Sequence, residues 1–412
     1  MSQNSISDPN AIMVNGPVNV VRLEGNIHGI DKTIYLFMDY HIPVTSQTKC
    51  DNVFSDDVQK FFADNFYNLN DKDKMYDFFL EVHPSELAYK ADRDSKEMYI
   101  EEVVDFFRKI FKYDPKKNTV SINKLFKNIR LHYLDIREFY QQKVHDRISK
   151  MSDIAHKYMI SESIDTQSFS IIIDLMIEMR DHLGSIIDIL SKKYDKKSAK
   201  SQIISKNKLQ KLDTKTLNYL TNKLKMSYNY PDVQKTMNTL LQLSITNFRN
   251  TIGQIDEAID TFEKYMKLVD ESDGMLVVDH NSTYVYNYGV SIYTTREMIV
   301  DINNKVDLLL DEKFVEFFGR FTDIYFLRRF LDKDYITNAI VYSGAMHSNT
   351  YIYYLIKYFD FTITHVSYSK IKNLDNLTNE IKQRTLVDMQ ELILPKFFKQ
   401  CSNLTKFPQD FE

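Results

Sequence analysis

The sequence predicts an α/β fold: a mostly parallel sheet flanked by helices, carrying a large all-helical insertion. Three observations predict it. The apolar run Ala339-Ile-Val-Tyr342, the small-residue turn Ser343-Gly-Ala-Met-His347, a helix-like run over 349–359 and a β-rich run over 361–366 read as strand, turn, helix, strand. Further apolar strand-like runs lie before residue 137, and two of them end at ionisable residues. Between these regions, helical spacing dominates a long central stretch. With only 9 Gly and 8 Pro in 412 residues, long regular elements are expected rather than a many-turned all-β fold.

In chain order, residues 1–17 are expected to be a flexible tail and 18–137 the first part of the α/β core. Strands are expected at 18–23 and 33–38, joined by a turn over 24–31, and the second runs straight into Asp39-Tyr40-His41. A helix over 56–65 precedes an aromatic strand, 75–81, that stops at Glu81, His83 and the chain-breaking Pro84. A carboxylate placed straight after such a run is costly to bury without a partner. Ile100, Val103, Val104, Phe107 and Ile110 recur at helical spacing and predict a helix over 96–111. The strand 129–137 alternates, with Arg130, His132, Asp135 and Arg137 as its polar members, a pattern that suits a salt-bridged strand as well as a site.

Residues 138–317 read as a helical insertion or second domain, with long helices over 139–159, 166–194, 211–226 and 231–269. Its Met and aromatic positions read as core. The Lys-rich stretch 191–200 reads as a solvated loop, and Asp279-His280 as part of an irregular loop. Residues 318–370 form the second part of the core, and 371–412 a C-terminal helix (374–394) and tail.

Composition excludes several classes. A net charge of −4 leaves no electrostatic footprint for nucleic acid. No apolar run approaches a membrane span, and residues 1–15 lack the charged and apolar regions of a signal peptide. Cys50 and Cys401 are too far apart in sequence to suggest a disulfide framework or a cysteine zinc site, so an intracellular, reducing compartment is expected. The abundance of Lys, Asn, Ile and Tyr points to an AT-rich genome.

The candidate site follows from the strand ends. In a βαβ unit the turn after the first strand lies at the carboxyl edge, where open α/β sheets place ligands. Parallel neighbours would bring Asp39, His41, Glu81 and His347 to that edge, with Arg137 from a fourth strand. Such a cluster suits one divalent cation held by His41, Glu81 and His347, or acid–base work on a bound water. A capping or core role for His347 is equally open. No Gly-x-Ser-x-Gly elbow is present, which disfavours a serine mechanism and leaves Ser343 a weak nucleophile candidate.

Met38-Asp-Tyr-His41, then Leu80-Glu81, then Tyr342-Ser-Gly-Ala-Met-His347 resembles, in order, the elements of the superfamily that joins erythromycin esterases, haem-binding ChaN-like proteins and TraB/Tiki-type metalloproteases. In that superfamily the first element is Gly-Glu-x-His; here Met38 replaces the glycine and Asp39 is one methylene shorter than glutamate. The same elements, with Arg130-Leu-His-Tyr-Leu-Asp-Ile-Arg137 and Asp323-Ile-Tyr-Phe-Leu-Arg-Arg-Phe330, resemble uncharacterised proteins of giant DNA viruses, which would place the chain in host cytoplasm or virion.

The resemblance implies a hydrolase of an ester or amide in a small molecule or peptide. Glu81 would be the base, His41 and His347 would hold metal or water, Asp39 would orient, and Arg137 would meet a carboxylate or oxyanion. Two alternatives remain beside it. One is a catalytically inactive structural or host-interaction protein that meets a protein partner through the helical insertion. The other is a binder of haem or another ligand, for which no axial residue stands out.

Overall fold

A computed structural model of the protein describes residues 8–43, 45, 49–82, 98–114, 119–121, 123–137, 144–191, 223–225, 228–278, 286–288, 291–310, 312–396 and 399–412. The chain divides into two compact units, Met1–Ile136 with Tyr325–Glu412, and Arg137–Ile324.

The first unit is α/β. Its strands before the second unit include β1 (Met13–Asn15), β2 (Asn19–Ile27), β3 (Ile30–Asp39), β4 (Asp56–Asp57), β5 (Tyr76–Leu80) and β6 (Ile129–Tyr133). After the second unit's β7 (Ser163–Asp165) and β8 (Met275–Val277) come β9 (Asn338–Gly344), β10 (Thr362–Val366) and β11 (Cys401–Asn403). Six of them form one sheet in the order β10-β2-β3-β9-β5-β6. The pairs β3–β9, β9–β5 and β5–β6 are parallel, while β2 is antiparallel to both β3 and β10. The β2–β3 hairpin is tighter than its sequence suggested. His28 and Gly29 alone make the turn, both at positive φ (52° and 87°), the backbone that a two-residue hairpin requires.

Alternation along each strand sorts the side chains onto two faces. One face carries Phe37, Tyr76, Phe78, Leu80, Ile340 and Tyr342. It packs under α1 (Val58–Asn68) and α2 (Tyr99–Ile110), where Phe62 meets Phe37 at 4.8 Å and Phe78 meets Phe107 at 5.1 Å between ring centroids. With no Trp in the chain, Phe and Tyr supply this aromatic core. On the other face Phe79 meets Phe326 at 5.1 Å, and Phe326 meets Tyr351 of the helix after β9 at 4.3 Å.

At the amino half of the sheet, buried Asp77 takes Arg130 at 2.9 and 2.6 Å and His132 at 2.6 Å. Arg130 and His132, polar positions of β6, therefore make a salt-bridged strand with Asp77 as their shared acceptor. Burial, joined by the nearby Arg329 and Arg130 charges, lowers the His132 pKa against the opposing pull of Asp77.

The second unit contains α3 (Asp146–Ser161), α4 (Thr166–Ser191), α5 (Pro231–Glu271), α6 (Thr295–Leu310) and the larger part of α7 (Glu312–Asp332). Pro231 starts the 41-residue α5, where a missing N–H costs nothing. Its buried residues, from Val233 and Met237 through Phe248 and Phe262, form one apolar stripe, and Phe262 packs on Phe169 of α4 at 5.4 Å. β7 and β8 pair antiparallel, with Leu276 opposite Ile164. Residues 192–200, Asp279-His280, His83 and most of the helix expected over 211–226 lie outside the described residues.

Four expectations about the termini and cysteines need correction. Residues 13–15, read as tail, form β1, with Val14 fully buried. The expected helix 374–394 is two helices, α9 (Leu374–Gln383) and α10 (Leu386–Ile393), because the Thr385 side chain accepts from the Asp388 N–H and starts a new helix. The polar tail returns as β11, antiparallel to β1 with Asn15 opposite Cys401, while β4 runs parallel on the other side of β1.

That small sheet brings two cysteines 351 residues apart to a Cα–Cα distance of 5.0 Å, and they are bonded as Cys50–Cys401. Separation in sequence did not predict separation in space, and the argument for a reducing compartment loses its support. Closing a loop of this length is worth on the order of 5 kcal/mol in the chain-entropy model.

Candidate active site

Parallel registration builds the site. Gly344 stands opposite Asp39 across β9–β3, and Tyr342 stands opposite Leu80 across β9–β5. Asp39, Gly344 and the residue after Leu80, Glu81, therefore reach the carboxyl edge side by side. Glu81 N–H donates to the Tyr342 carbonyl at 3.1 Å and continues the ladder one step. Helix α8 (Ala345–Phe359) starts immediately after Gly344 and places His347 on its first turn.

The four candidate side chains join in one row. Asp39 Oδ2 accepts the His41 backbone N–H at 3.1 Å and lies 2.7 Å from His41 Nδ1. His41 Nε2 lies 3.4 Å from Glu81 Oε2, and His347 Nε2 lies 3.2 Å from Glu81 Oε1. The Gly344 N–H donates to Glu81 Oε2 at 2.7 Å. Asp39 is fully buried, and the side chains of Glu81 and His347 are 4% and 11% exposed, against 34% for His41. His41 is thus the member a substrate would meet first. It sits at φ 51°, a left-handed backbone that a non-glycine residue keeps only where its surroundings hold it.

The proton inventory follows from the neighbours. Burial favours a neutral His41 ring, but hydrogen bonds to Asp39 and Glu81, with their charges, outweigh it and push the pKa up to about 10. Burial also favours a protonated Glu81, but the His347 charge and hydrogen bond, then those of His41, hold its carboxyl well below the usual range. Burial, then the Asp39 charge, pushes the Tyr342 phenol well above its ordinary value. At neutral pH the centre is a carboxylate beside an imidazolium.

These directions set a stability profile. The His41 contribution is fully present below its ordinary value of 6.5 and is lost as the pH rises through about 10. The Glu81 contribution is present above its ordinary value of 4.5 and is lost as the pH falls through the lowered one. Thermal unfolding is expected to show Tm declining from about pH 6.5 towards 10, and His41→Gln is expected to flatten that limb. An unchanged limb in the variant would assign the titration elsewhere.

A divalent ion is a poor fit to these residues. Both ring nitrogens of His41 face carboxylates, His347 Nε2 faces Glu81, and among the described residues no group of three or more His, Cys, Asp or Glu is arranged to hold a metal ion. Arg137 is the first residue of the second compact unit, Arg137–Ile324. Ser343 is fully buried and hydrogen-bonds Ser348 at 3.0 Å, so its hydroxyl is paired with another hydroxyl and not with a base.

Two contributors were missed in the sequence. The Gly344 amide was read only as a turn. Gln400, 1% exposed, donates from Nε2 to Asp39 Oδ1 at 2.7 Å, and no motif in the polar C-terminal segment pointed to it. Among the described residues no helix is long and apolar enough to cross a membrane.

Comparison with known proteins extends over the whole chain. It is 56% identical over 416 residues to the uncharacterized protein R706 of Acanthamoeba polyphaga mimivirus, covering 99% of each. It is 35% identical to R161 of the same virus, covering 98% of this chain and 99% of that one, and 36% identical to R160, covering all of both. The expected likeness to uncharacterised giant-virus proteins is therefore found. No solved structure matches. Residues 12–412 match the profile of a family of unknown function, DUF5847, and the chain belongs to that family.

Proposed function

We propose that the protein is a hydrolase that activates water at the Asp39–His41–Glu81–His347 row and cleaves an ester or amide bond. The observation that carries the reading is the row itself, in which two imidazoles flank one buried carboxylate at 3.4 and 3.2 Å. The order of its elements resembles the erythromycin-esterase, ChaN and TraB/Tiki superfamily.

The chemistry divides among these residues. Glu81, ionised at neutral pH, takes the proton of the attacking water as its oxygen bonds to the carbonyl carbon. The charge of the flanking imidazoles lowers its pKa and makes it a weak base, so the proton it takes is held only until His41 has given up its own. His41, protonated and the most exposed of the four, turns its Nε2–H from the long 3.4 Å contact with Glu81, which weakens once Glu81 has taken the water proton, to the developing oxyanion and then gives that proton to the leaving oxygen or nitrogen. Glu81 then returns a proton to His41 across the contact between them, and the centre is reset. Asp39 holds the His41 ring in place. No step is assigned to a metal ion.

The test is a panel of p-nitrophenyl esters and anilides, with wild type beside His41→Ala. The expected result is turnover by the wild type and a drop of about 10²–10⁴-fold in the variant, the usual worth of a positioned acid or base. No turnover by the wild type, or equal turnover by the variant, would leave the row as a self-satisfied clasp. That outcome would favour a catalytically inactive structural or host-interaction protein, because Glu81 already receives three donors from its own neighbours.

A further inference from the structure

We propose that Gln400 and Tyr342 are positioning residues for the row: they fix the plane of the Asp39 carboxylate so that it holds the His41 ring towards Glu81. The inference rests on the reading of the row as a functional site and adds the residues that orient it.

His41 depends on Asp39 for its place. Its Nδ1 lies 2.7 Å and its backbone N–H 3.1 Å from one oxygen, Asp39 Oδ2, whereas its Nε2 is 3.4 Å from Glu81. Its side chain is 34% exposed and its backbone is left-handed, so neither close packing nor backbone preference sets the ring. The plane of an aspartate carboxylate is itself loosely set, because its χ2 torsion is broad and two-fold. Asp39 can therefore orient His41 only while its other oxygen is held.

Gln400 holds that oxygen. Its Nε2 donates to Asp39 Oδ1 at 2.7 Å, and the amide cannot turn end for end, because Oε1 would then face a carboxylate oxygen. The side chain is 1% exposed, and Oε1 has no hydrogen-bond partner among the described residues, so the amide serves Asp39 alone. The Gln400 backbone is anchored. Gly16 N–H donates to its carbonyl at 3.0 Å, and the next residue, Cys401, stands opposite Asn15 across β11–β1.

Tyr342 covers the same carboxylate from β9. It stands opposite Phe37, two residues before Asp39 on β3, and so shares a face of the sheet with Asp39. Its hydroxyl oxygen is 3.4 Å from where a Cβ on Gly16 would stand, and Gly16 is the residue that holds the Gln400 carbonyl. The hydroxyl is buried and closes no hydrogen bond of ordinary geometry among the described residues. Burial, then the Asp39 charge, keeps the phenol protonated, and Asp39 is the first acceptor that its O–H dipole meets. A core that had only to fold would gain nothing from these groups. A buried polar atom without a partner costs its desolvation, and an apolar side chain of the same shape is neutral or better.

The test is a double-mutant cycle on the full chain, with Gln400→Leu and Tyr342→Phe each made alone and on an Asp39→Ala background. The His41 Nδ1 signal is followed by 15N NMR, assigned through its absence in His41→Gln. Values of kcat and KM are measured on whichever ester or anilide the wild type turns over. Each single variant is expected to displace the signal. Gln400→Leu is expected to lower kcat by about 10²-fold, the cost of a group misplaced by about 1 Å, with KM near the wild-type value. On the Asp39→Ala background neither substitution should move the signal or the rate further, because both act through the carboxylate. A merely structural loss would instead add to that of Asp39→Ala. Tyr342→Phe removes one hydroxyl and keeps the ring beside Phe62, 6.0 Å between centroids, so it reads the cycle even if Gln400→Leu does not fold. A signal that stays in place in both single variants would overturn the positioning role, as would equal effects with Asp39 and without it. A displaced signal with no turnover by the wild type would keep the positioning role and remove the hydrolase. Turnover with an unmoved signal and unchanged kcat in both variants would do the reverse.

Discussion

Glu81→Ala is expected to produce the largest loss of stability of any single change at the carboxyl edge. The carboxylate receives His41, His347 and the Gly344 N–H, and its side chain is 4% exposed. Removing it strands two buried or half-buried imidazoles and one buried amide, each deprived of the acceptor that compensates its desolvation. Breaking a buried ion pair from one side costs about 3–5 kcal/mol. At roughly 2–4 °C per kcal/mol for a unit of this size, the first unit should melt about 10 °C lower. Glu81→Gln should recover part of this, because an amide oxygen can still accept the Gly344 N–H, yet it should not recover turnover. Calorimetry of the three proteins is the check. If Ala and Gln lower Tm equally and by less than about 2 °C, the carboxylate is not the electrostatic centre that the distances describe.

Gly344→Ala should disable the centre with a smaller effect on the fold. A Cβ at this position would lie 2.9 Å from His41 Nε2, 3.3 Å from His41 Cδ2 and 3.4 Å from Glu81 Oε2. Gly344 has a φ of −52°, so an alanine meets no backbone strain there, and the conflict is wholly with the His41 ring. That ring is tethered to Asp39 at 2.7 Å and has little freedom to yield. The ring must swing away from Glu81, whose contact with it is already the longest in the row. A misplacement of about 1 Å in such a group costs about 10²-fold in rate, while overpacking costs about 1–3 kcal/mol in stability. The check is the ratio of kcat/KM for wild type and variant beside their melting temperatures. A variant with normal turnover would mean that His41 and Glu81 need not touch.

The two substitutions probe different things, and the difference explains what a sequence reader could see. Glu81 was visible as an acid placed straight after an aromatic run, where burial demands a partner. The partners were visible only as types: a histidine two residues after Asp39 and another on the first turn after a strand. The Gly344 contact was invisible, because nothing local distinguishes a glycine that makes a turn from one that leaves room for an imidazole arriving from another strand. Gln400 was further out of reach. It lies in a polar segment with no periodicity, and its role depends on β11 pairing with β1 nearly the whole chain length away.

Sequence alone determined the α/β character, the helical content of residues 146–191 and 231–271, and the three strand ends at which ionisable groups occur. These are local properties, set by the spacing of apolar residues and by chain-breaking turns. Tertiary structure decided which strands are neighbours, that Asp77 rather than the carboxyl edge takes Arg130 and His132, and that two distant cysteines meet. It also decided the charge state of the centre. A carboxyl and an imidazole carry their ordinary pKa values in the unfolded chain, and only burial at hydrogen-bonding distance drives them apart until one stays ionised and the other protonated across neutral pH.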